Sequence, residues 1–181
     1  DALQVSVPAD QIEPARVPRL GLALALIRRG FEDALRMACE LGVDEIQPLR
    51  ADRSTPQAED RPERWATILQ EAVEQCERLW LPTLKPACNL AQWPNSSDPV
   101  AVGVTRRADT PALSDWLKQT TNDNDNGMVW LLVGPEGGWS DAEDQLFTTR
   151  GWHPVHLGSS ILRSSTAAVR GSVELVQWRD G

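Results

Sequence analysis

The stretch from Val129 to Phe147, VWLLVGPEGGWSDAEDQLF, constrains the fold of this chain more than any other. An apolar run stops at Gly134, a Gly-Pro-Glu-Gly-Gly turn follows, and a helix then starts with Ser140 and Glu143 spaced as a capping box. This pattern describes a buried strand that turns sharply into a helix. Gly137 and Gly138 carry no Cβ, so the turn can take unusual dihedral angles and lie directly against a ligand. Turns at the carboxyl ends of strands are where open α/β sheets bind their ligands. From the loop alone, an ordinary strand-to-helix connection is the competing reading.

The rest of the chain repeats the alternation of strand and helix. Residues 1–19, with Pro8, Pro14 and Pro18, read as an extended lead-in or the tail of an upstream domain. LALALI after Gly21 is a strand, and Phe31, Leu35, Ala38 and Leu41 recur at helical spacing with Gly42 as the C-terminal cap. EIQPL (45–49) is a second strand, whose Pro48 predicts an edge or a bend. Asp52 to Asp60 reads as loop. A helix is expected from about Pro62 to Leu79, with Trp65, Leu69, Ala72, Val73, Cys76 and Leu79 on one face and Asp60 and Glu63 as a capping box. VAVGV (100–104) is a third strand, a short helix runs from Thr110–Pro111 to Lys118, and MVWLLV and PVHLG are the fourth and fifth strands. After the loop SSILRSS, a last helix is expected from about Thr166 to Trp178. This order predicts an α/β fold with a mostly parallel sheet flanked by helices.

Composition narrows the function. A hydrophobic fraction of 41% and a charged fraction of 24% are those of a globular domain. Cys39, Cys76 and Cys88 are odd in number and lack C-x-x-C spacing, which suits reduced thiols in the cytoplasm. The net charge of −8 argues against bulk electrostatic binding of nucleic acid, although a local basic face is compatible with it. Sixteen of the eighteen basic residues are Arg, which favours forked phosphate contacts and also follows from codon bias.

Other motifs are absent or weak. There is no G-x-x-x-x-G-K-[ST], G-x-G-x-x-G or G-x-S-x-G sequence, which argues against a nucleoside triphosphatase, a dinucleotide site and a serine hydrolase. Asn122 to Gly127 partly resembles a calcium loop, but its twelfth place falls on Val133 in a strand, so a connector is expected. His153 and His156 point to opposite faces of a strand and suit no shared metal, and no metal is expected. Among the eight tryptophans, Trp65 and Trp130 belong to core segments, while Trp139 beside the glycine turn is a candidate pocket wall.

A second stretch, LGSSILRSSTAA from Leu157 to Ala168, sets one arginine among small polar residues before a helix. GPEGGWS followed by this stretch resembles the knotted, SPOUT-class RNA methyltransferases, and within them the ribosomal RNA small subunit methyltransferase E family. CELGVDEIQPL, DRS at 52–54, RW at 64–65, EAVEQCER at 71–78 and LP before TLKPA add to the resemblance, which covers about residue 20 to the end. It implies a methyltransferase that uses S-adenosylmethionine on N3 of a uridine in 16S small-subunit ribosomal RNA. It further implies a cytoplasmic homodimer with a C-terminal trefoil knot, and a PUA-like RNA-binding domain ahead of the catalytic one.

Carried onto this sequence, the resemblance places the cofactor on Gly134, Pro135, Glu136, Gly137, Gly138, Leu157, Gly158, Ile161 and Leu162. Arg163 is the expected catalytic residue, stabilising negative charge on the base, and Arg53 and Arg78 are expected to contact RNA phosphate or to form surface ion pairs. Glu136 is a candidate proton acceptor. Two departures stand out: the family's ILR-T-E-T-A reads ILR-S-S-T-A, so Ser165 replaces an acidic residue, and residues 1–19 hold at most a remnant of the PUA-like domain. The departures leave two alternatives, a non-catalytic RNA-binding or ribosome-assembly factor that kept the fold, and a methyltransferase of another RNA.

Overall fold

The computed structural model describes residues 14–120 and 127–181. Seven strands form one sheet: β1 (Arg19–Ala25), β2 (Glu45–Arg50), β3 (Thr83–Leu84), β4 (Cys88–Asn89), β5 (Val100–Gly103), β6 (Met128–Val133) and β7 (His153–Val155). Their order is β3-β2-β1-β6-β5-β7, with β4 also paired to β2, and every strand pairing is parallel. Because the strands run the same way, all their carboxyl ends lie along one edge. The helices are α1 (Phe31–Leu41), α2 (Pro62–Cys76), α3 (Leu113–Gln119), α4 (Asp141–Arg150) and α5 (Ser164–Asp180). None of the described helices is long and apolar enough to cross a membrane.

Both faces of the sheet are covered, which explains why β6 is an unbroken apolar run. Val129, Leu131 and Val133 point into a core shared with Leu20, Leu22 and Leu24 of β1 and with helices α1, α2, α3 and α5. Met128, Trp130 and Leu132 point the other way, into a cluster with Trp93, Trp152 and Phe147 of α4. Glycine makes two close approaches possible: a Cβ on Gly21 would lie 2.3 Å from the Trp130 ring, and one on Gly171 would lie 2.0 Å from Leu131 Cδ2. The second approach seats α5 on the sheet.

The structure corrects several expectations. Two strands of two residues each, β3 and β4, bring the count from five to seven. Pro48 is not on an edge strand: β2 pairs with β1 on one side and with β3 and β4 on the other. The break between β3 and β4 falls opposite Gln47–Pro48, and Gln47 Nε2 bridges it by donating to the Pro48 and Pro86 carbonyls at 2.8 and 2.9 Å. The proline therefore sits where no outer ladder bond is asked of it. Helix α2 stops at Cys76 because Glu77 turns left-handed (φ 56°), so Leu79 lies beyond the helix and is exposed. Its N-cap residue is Arg61 without a side-chain cap, since Asp60 is ion-paired with Arg50 instead of forming a box with Glu63. Helix α3 starts at Leu113, later than expected, and α5 starts earlier, at Ser164, with Arg163 at the N-cap and no side-chain cap. β7 spans His153–Val155, and His156 makes only an isolated bridge to Ala112. The proposed connector at Asn122 to Asn126 and residues 1–13 of the lead-in lie outside the described residues.

Candidate functional site

The two informative turns emerge from nearly adjacent strands at the carboxyl edge. Gly134 to Gly138 follow β6, Leu157 to Leu162 follow β7, and β5 lies between those strands. The carboxyl end of β5 joins them. Trp139 Nε1 donates to the Gly103 carbonyl at 3.0 Å, and the Leu157 side chain lies 3.6 Å from where a Gly103 Cβ would project. Trp139 also packs on Gly134, where a Cβ would meet its indole at 2.8 Å. The indole is a half-buried brace behind the turn.

Within the turns, the glycines differ in what they face. Gly138 (φ +70°) and Gly158 (φ +129°) both hold backbone conformations that side chains rarely adopt, and no atom lies within 4 Å of either's missing Cβ. Gly138 N donates to the Pro135 carbonyl at 2.9 Å, and Gly158 N donates to His156 Nδ1 at 3.2 Å. Pro135 is buried, Glu136 and Gly137 are exposed, Leu162 is half-buried, and Ile161 is 60% exposed, a large apolar side chain standing in solvent.

A polar network pins the first turn to the loop after β2. The capping box of α4 is present: Ser140 Oγ accepts from Glu143 N at 3.2 Å, and Glu143 Oε2 accepts from Ser140 N at 2.8 Å. Glu143, 5% exposed, uses its other oxygen to accept from Asp52 N at 3.0 Å, and Ser140 Oγ donates to Asp52 Oδ2 at 2.6 Å. This holds Arg53 over the turn, with Arg53 Cβ 3.0 Å from where a Gly137 Cβ would sit and its guanidinium donating to the Gly137 carbonyl at 3.3 Å. The start of α5, just after the second turn, packs beside the loop after β1: Ser165 Oγ lies 3.0 Å from where a Gly30 Cβ would sit.

Arg163 is exposed and makes no ion pair among the described residues, and its carbonyl accepts from Ala167 N at 2.8 Å at the start of α5. Arg78 is turned into the protein, with Asp44 as an ionic partner at 3.4 Å. Its guanidinium is largely buried and donates to the carbonyls of Cys39 and Val43 at 2.6 and 2.9 Å, closing the end of α1 beside Asp44. His153 packs on Trp116, and among the described residues no three His, Cys, Asp or Glu side chains converge as metal ligands. Two grooves lie away from this edge, one between α1 and α2 beside Glu32, Glu40 and Glu71, the other beside Trp116, Arg150 and His153.

Sequence spacing had no means of showing the joint at Gly103, the second acceptor role of Glu143 or the Gly30–Ser165 packing. DRS at 52–54 was the one signal near them.

A family model described as an RNA methyltransferase domain matches residues 13–171. The chain belongs to this family. It is 38% identical over 151 residues to the ribosomal RNA small subunit methyltransferase E of Synechocystis sp., a match covering 81% of this chain and 49% of that protein. It therefore spans about half the length of that relative. The fold superposes with a TM-score of 0.73 on a ribosomal RNA small subunit methyltransferase E from Neisseria gonorrhoeae bound to S-adenosyl methionine, at 29% identity, covering 92% of this chain and 68% of that one. A Legionella pneumophila methyltransferase in complex with the same cofactor superposes at 0.72 with 28% identity, covering 88% and 65%.

Proposed function

We propose that this chain is the catalytic part of an S-adenosylmethionine-dependent methyltransferase acting on N3 of a uridine in small-subunit ribosomal RNA. The observation that carries the reading is the pair of turns joined through Gly103, with two positive-φ glycines facing open space. A ligand held through backbone groups fits such a place. Gly134 to Gly138, Leu157, Gly158, Ile161 and Leu162 would hold the cofactor, and exposed Ile161 would be withdrawn from water on binding. When bound, the cofactor supplies an electrophilic methyl carbon.

The chain's own part is to position the base and manage charge. Uridine N3 must lose a proton, leaving a pyrimidine anion, and the permanently charged Arg163 stabilises that anion. Glu136, exposed and unpaired among the described residues, is the carboxylate that takes the proton. Arg53, held over Gly137, contacts RNA phosphate, whereas Arg78 is left to its structural role. The same reading makes the protein a cytoplasmic homodimer whose C-terminal segment is threaded as a trefoil. The return of the chain from edge strand β7 to pack α5 on α1, β1 and β6 supports that path.

One observation favours a different reading, an RNA-binding factor without activity: the acidic residue of the family motif is Ser165, seated against Gly30. Mass spectrometry of ribosomal RNA separates the two. Loss of one N3-methyluridine on deletion, restored by the parent gene and not by an Arg163→Ala copy, is expected. Persistence of the modification in the deletion strain rejects the enzymatic reading.

A further inference from the structure

The sixteen arginines divide by place. Arg16, Arg19, Arg36, Arg50, Arg61, Arg64, Arg78, Arg170 and Arg179 each have a carboxylate within 4.0 Å, and Arg150 is held by the carbonyls of Ala91 and Trp93. The remaining six, Arg28, Arg29, Arg53, Arg106, Arg107 and Arg163, are all exposed and all lie on loops that leave the carboxyl ends of strands. Among the described residues only Arg107 of these has an ionic partner, Asp144 at 3.6 Å. Arg106 is further held at φ 57°, a left-handed conformation uncommon for a side chain of its size. In a protein of net charge −8, these loops and the glycine turn carry the six arginines against Asp52, Glu59, Asp60, Asp109 and Glu136, of which Glu59 and Asp60 are already paired with Arg61 and Arg50. Asp52 already accepts a hydrogen bond from Ser140.

The order of strands gathers these loops into a surface. Loops after β2 and β1 lie on one side of the glycine turn, and loops after β5 and β7 on the other. Four strand spacings of about 4.8 Å make the row about 19 Å wide. Each loop packs against one of the two turns or the helix start that follows: Arg53 on Gly137, Gly30 beside Ser165 at the start of α5, and Gly103 against Trp139 and Leu157. Exposed guanidinium groups gathered along one edge of an otherwise acidic protein give that edge a local positive potential that attracts anions, and the fork of Arg matches phosphate.

We propose that Arg28, Arg29 and Arg106, with Arg53 and Arg163, form a phosphate-binding row that lays a single RNA strand across the mouth of the cofactor site. The proposal rests on the methyltransferase reading of that site and adds three residues to it. Its test compares two triple variants of the 181-residue chain. Arg28→Gln/Arg29→Gln/Arg106→Gln empties the row. Arg16→Gln/Arg36→Gln/Lys118→Gln removes the same charge from exposed, ion-paired positions elsewhere.

Binding of a uridine-rich single-stranded RNA is measured by fluorescence anisotropy over a series of salt concentrations, and S-adenosylmethionine binding by calorimetry. Each phosphate that no longer meets a guanidinium lowers the log–log salt slope by about 0.7, so the first variant is expected to reduce the slope by about 2. Affinity at low salt should fall at least tenfold, with donor affinity unchanged. The second variant should change the slope by less than about 0.5, smaller than the effect of one phosphate. Equal reductions in both variants, an unchanged slope in the first, or no RNA binding by the parent chain would each overturn the row. Failure of the parent to bind the methyl donor would instead overturn the methyltransferase reading.

Discussion

Glu143→Gln tests whether the glycine turn and the loop after β2 are held as one unit. The carboxylate is buried, 5% exposed, and spends one oxygen on the N–H of Ser140 at 2.8 Å and the other on the N–H of Asp52 at 3.0 Å. Glutamine keeps the shape but offers one acceptor oxygen and one NH2 group. One charge-assisted hydrogen bond disappears, and a backbone donor is left facing a donor. A hydrogen bond to a charged group contributes about 1.5–3 kcal/mol and an orphaned buried donor costs about 1–3 kcal/mol, two overlapping quantities that together give about 3 kcal/mol. For a domain of this size each kcal/mol moves Tm by about 2–4 °C, so calorimetry should show a fall of about 6–12 °C. In urea the midpoint should drop with the slope m unchanged. A loss below about 1 kcal/mol would refute the reasoning, because it would mean that the two backbone donors do not depend on the charge.

Arg78→Ala removes the cation that closes the end of α1 on the Cys39 and Val43 carbonyls; a loss of about 3 kcal/mol in urea denaturation is expected, with RNA affinity unchanged. Gly171→Ala places a methyl where Leu131 Cδ2 lies 2.0 Å away in a closed core, and thermal denaturation should show a loss of about 1–3 kcal/mol. Burial pushes the Cys39 thiol from its ordinary 9.0 up to about 11, against a smaller opposite pull from Arg78. Folding therefore favours the neutral thiol, a contribution complete below pH 9.0 and lost as pH climbs through about 11; urea midpoints across that range should fall in the parent and less steeply in Cys39→Ala. Arg163→Ala should lower single-turnover methyl transfer on saturating RNA by about a hundredfold or more, the effect of removing one preorganised donor, and an unchanged rate would remove Arg163 from the chemistry.

The strand-turn-helix at the site was legible because its signals are local. Six consecutive apolar residues of β6 are buried on both faces, and Ser140 with Glu143 makes its box within a single turn of helix. What was misread depends on residues distant in the chain. Asp60 stands at capping distance from Glu63, but Arg50 claims its carboxylate. Leu79 continues the apolar period of α2, yet the left-handed Glu77 ends the helix at Cys76, three residues earlier. Pro48 in β2 is tolerated because the neighbouring strand is interrupted opposite it, a fact that no reading of residues 45–49 contains. For Arg78 the sequence left an RNA contact and an ion pair both open, and its surroundings depend on distant residues. It ends the EAVEQCER stretch at 71–78, and only the fold brings it under the end of α1.

The most direct measurement is a crystal structure of this chain grown with saturating S-adenosylmethionine. The donor is predicted to lie between residues 134–138 and 157–162, against the backbone at Gly138 and Gly158, with Ile161 no longer exposed. Donor bound in the groove between α1 and α2 or in the one beside Trp116 and Arg150, with the two turns left empty, would contradict the methyltransferase reading of this edge.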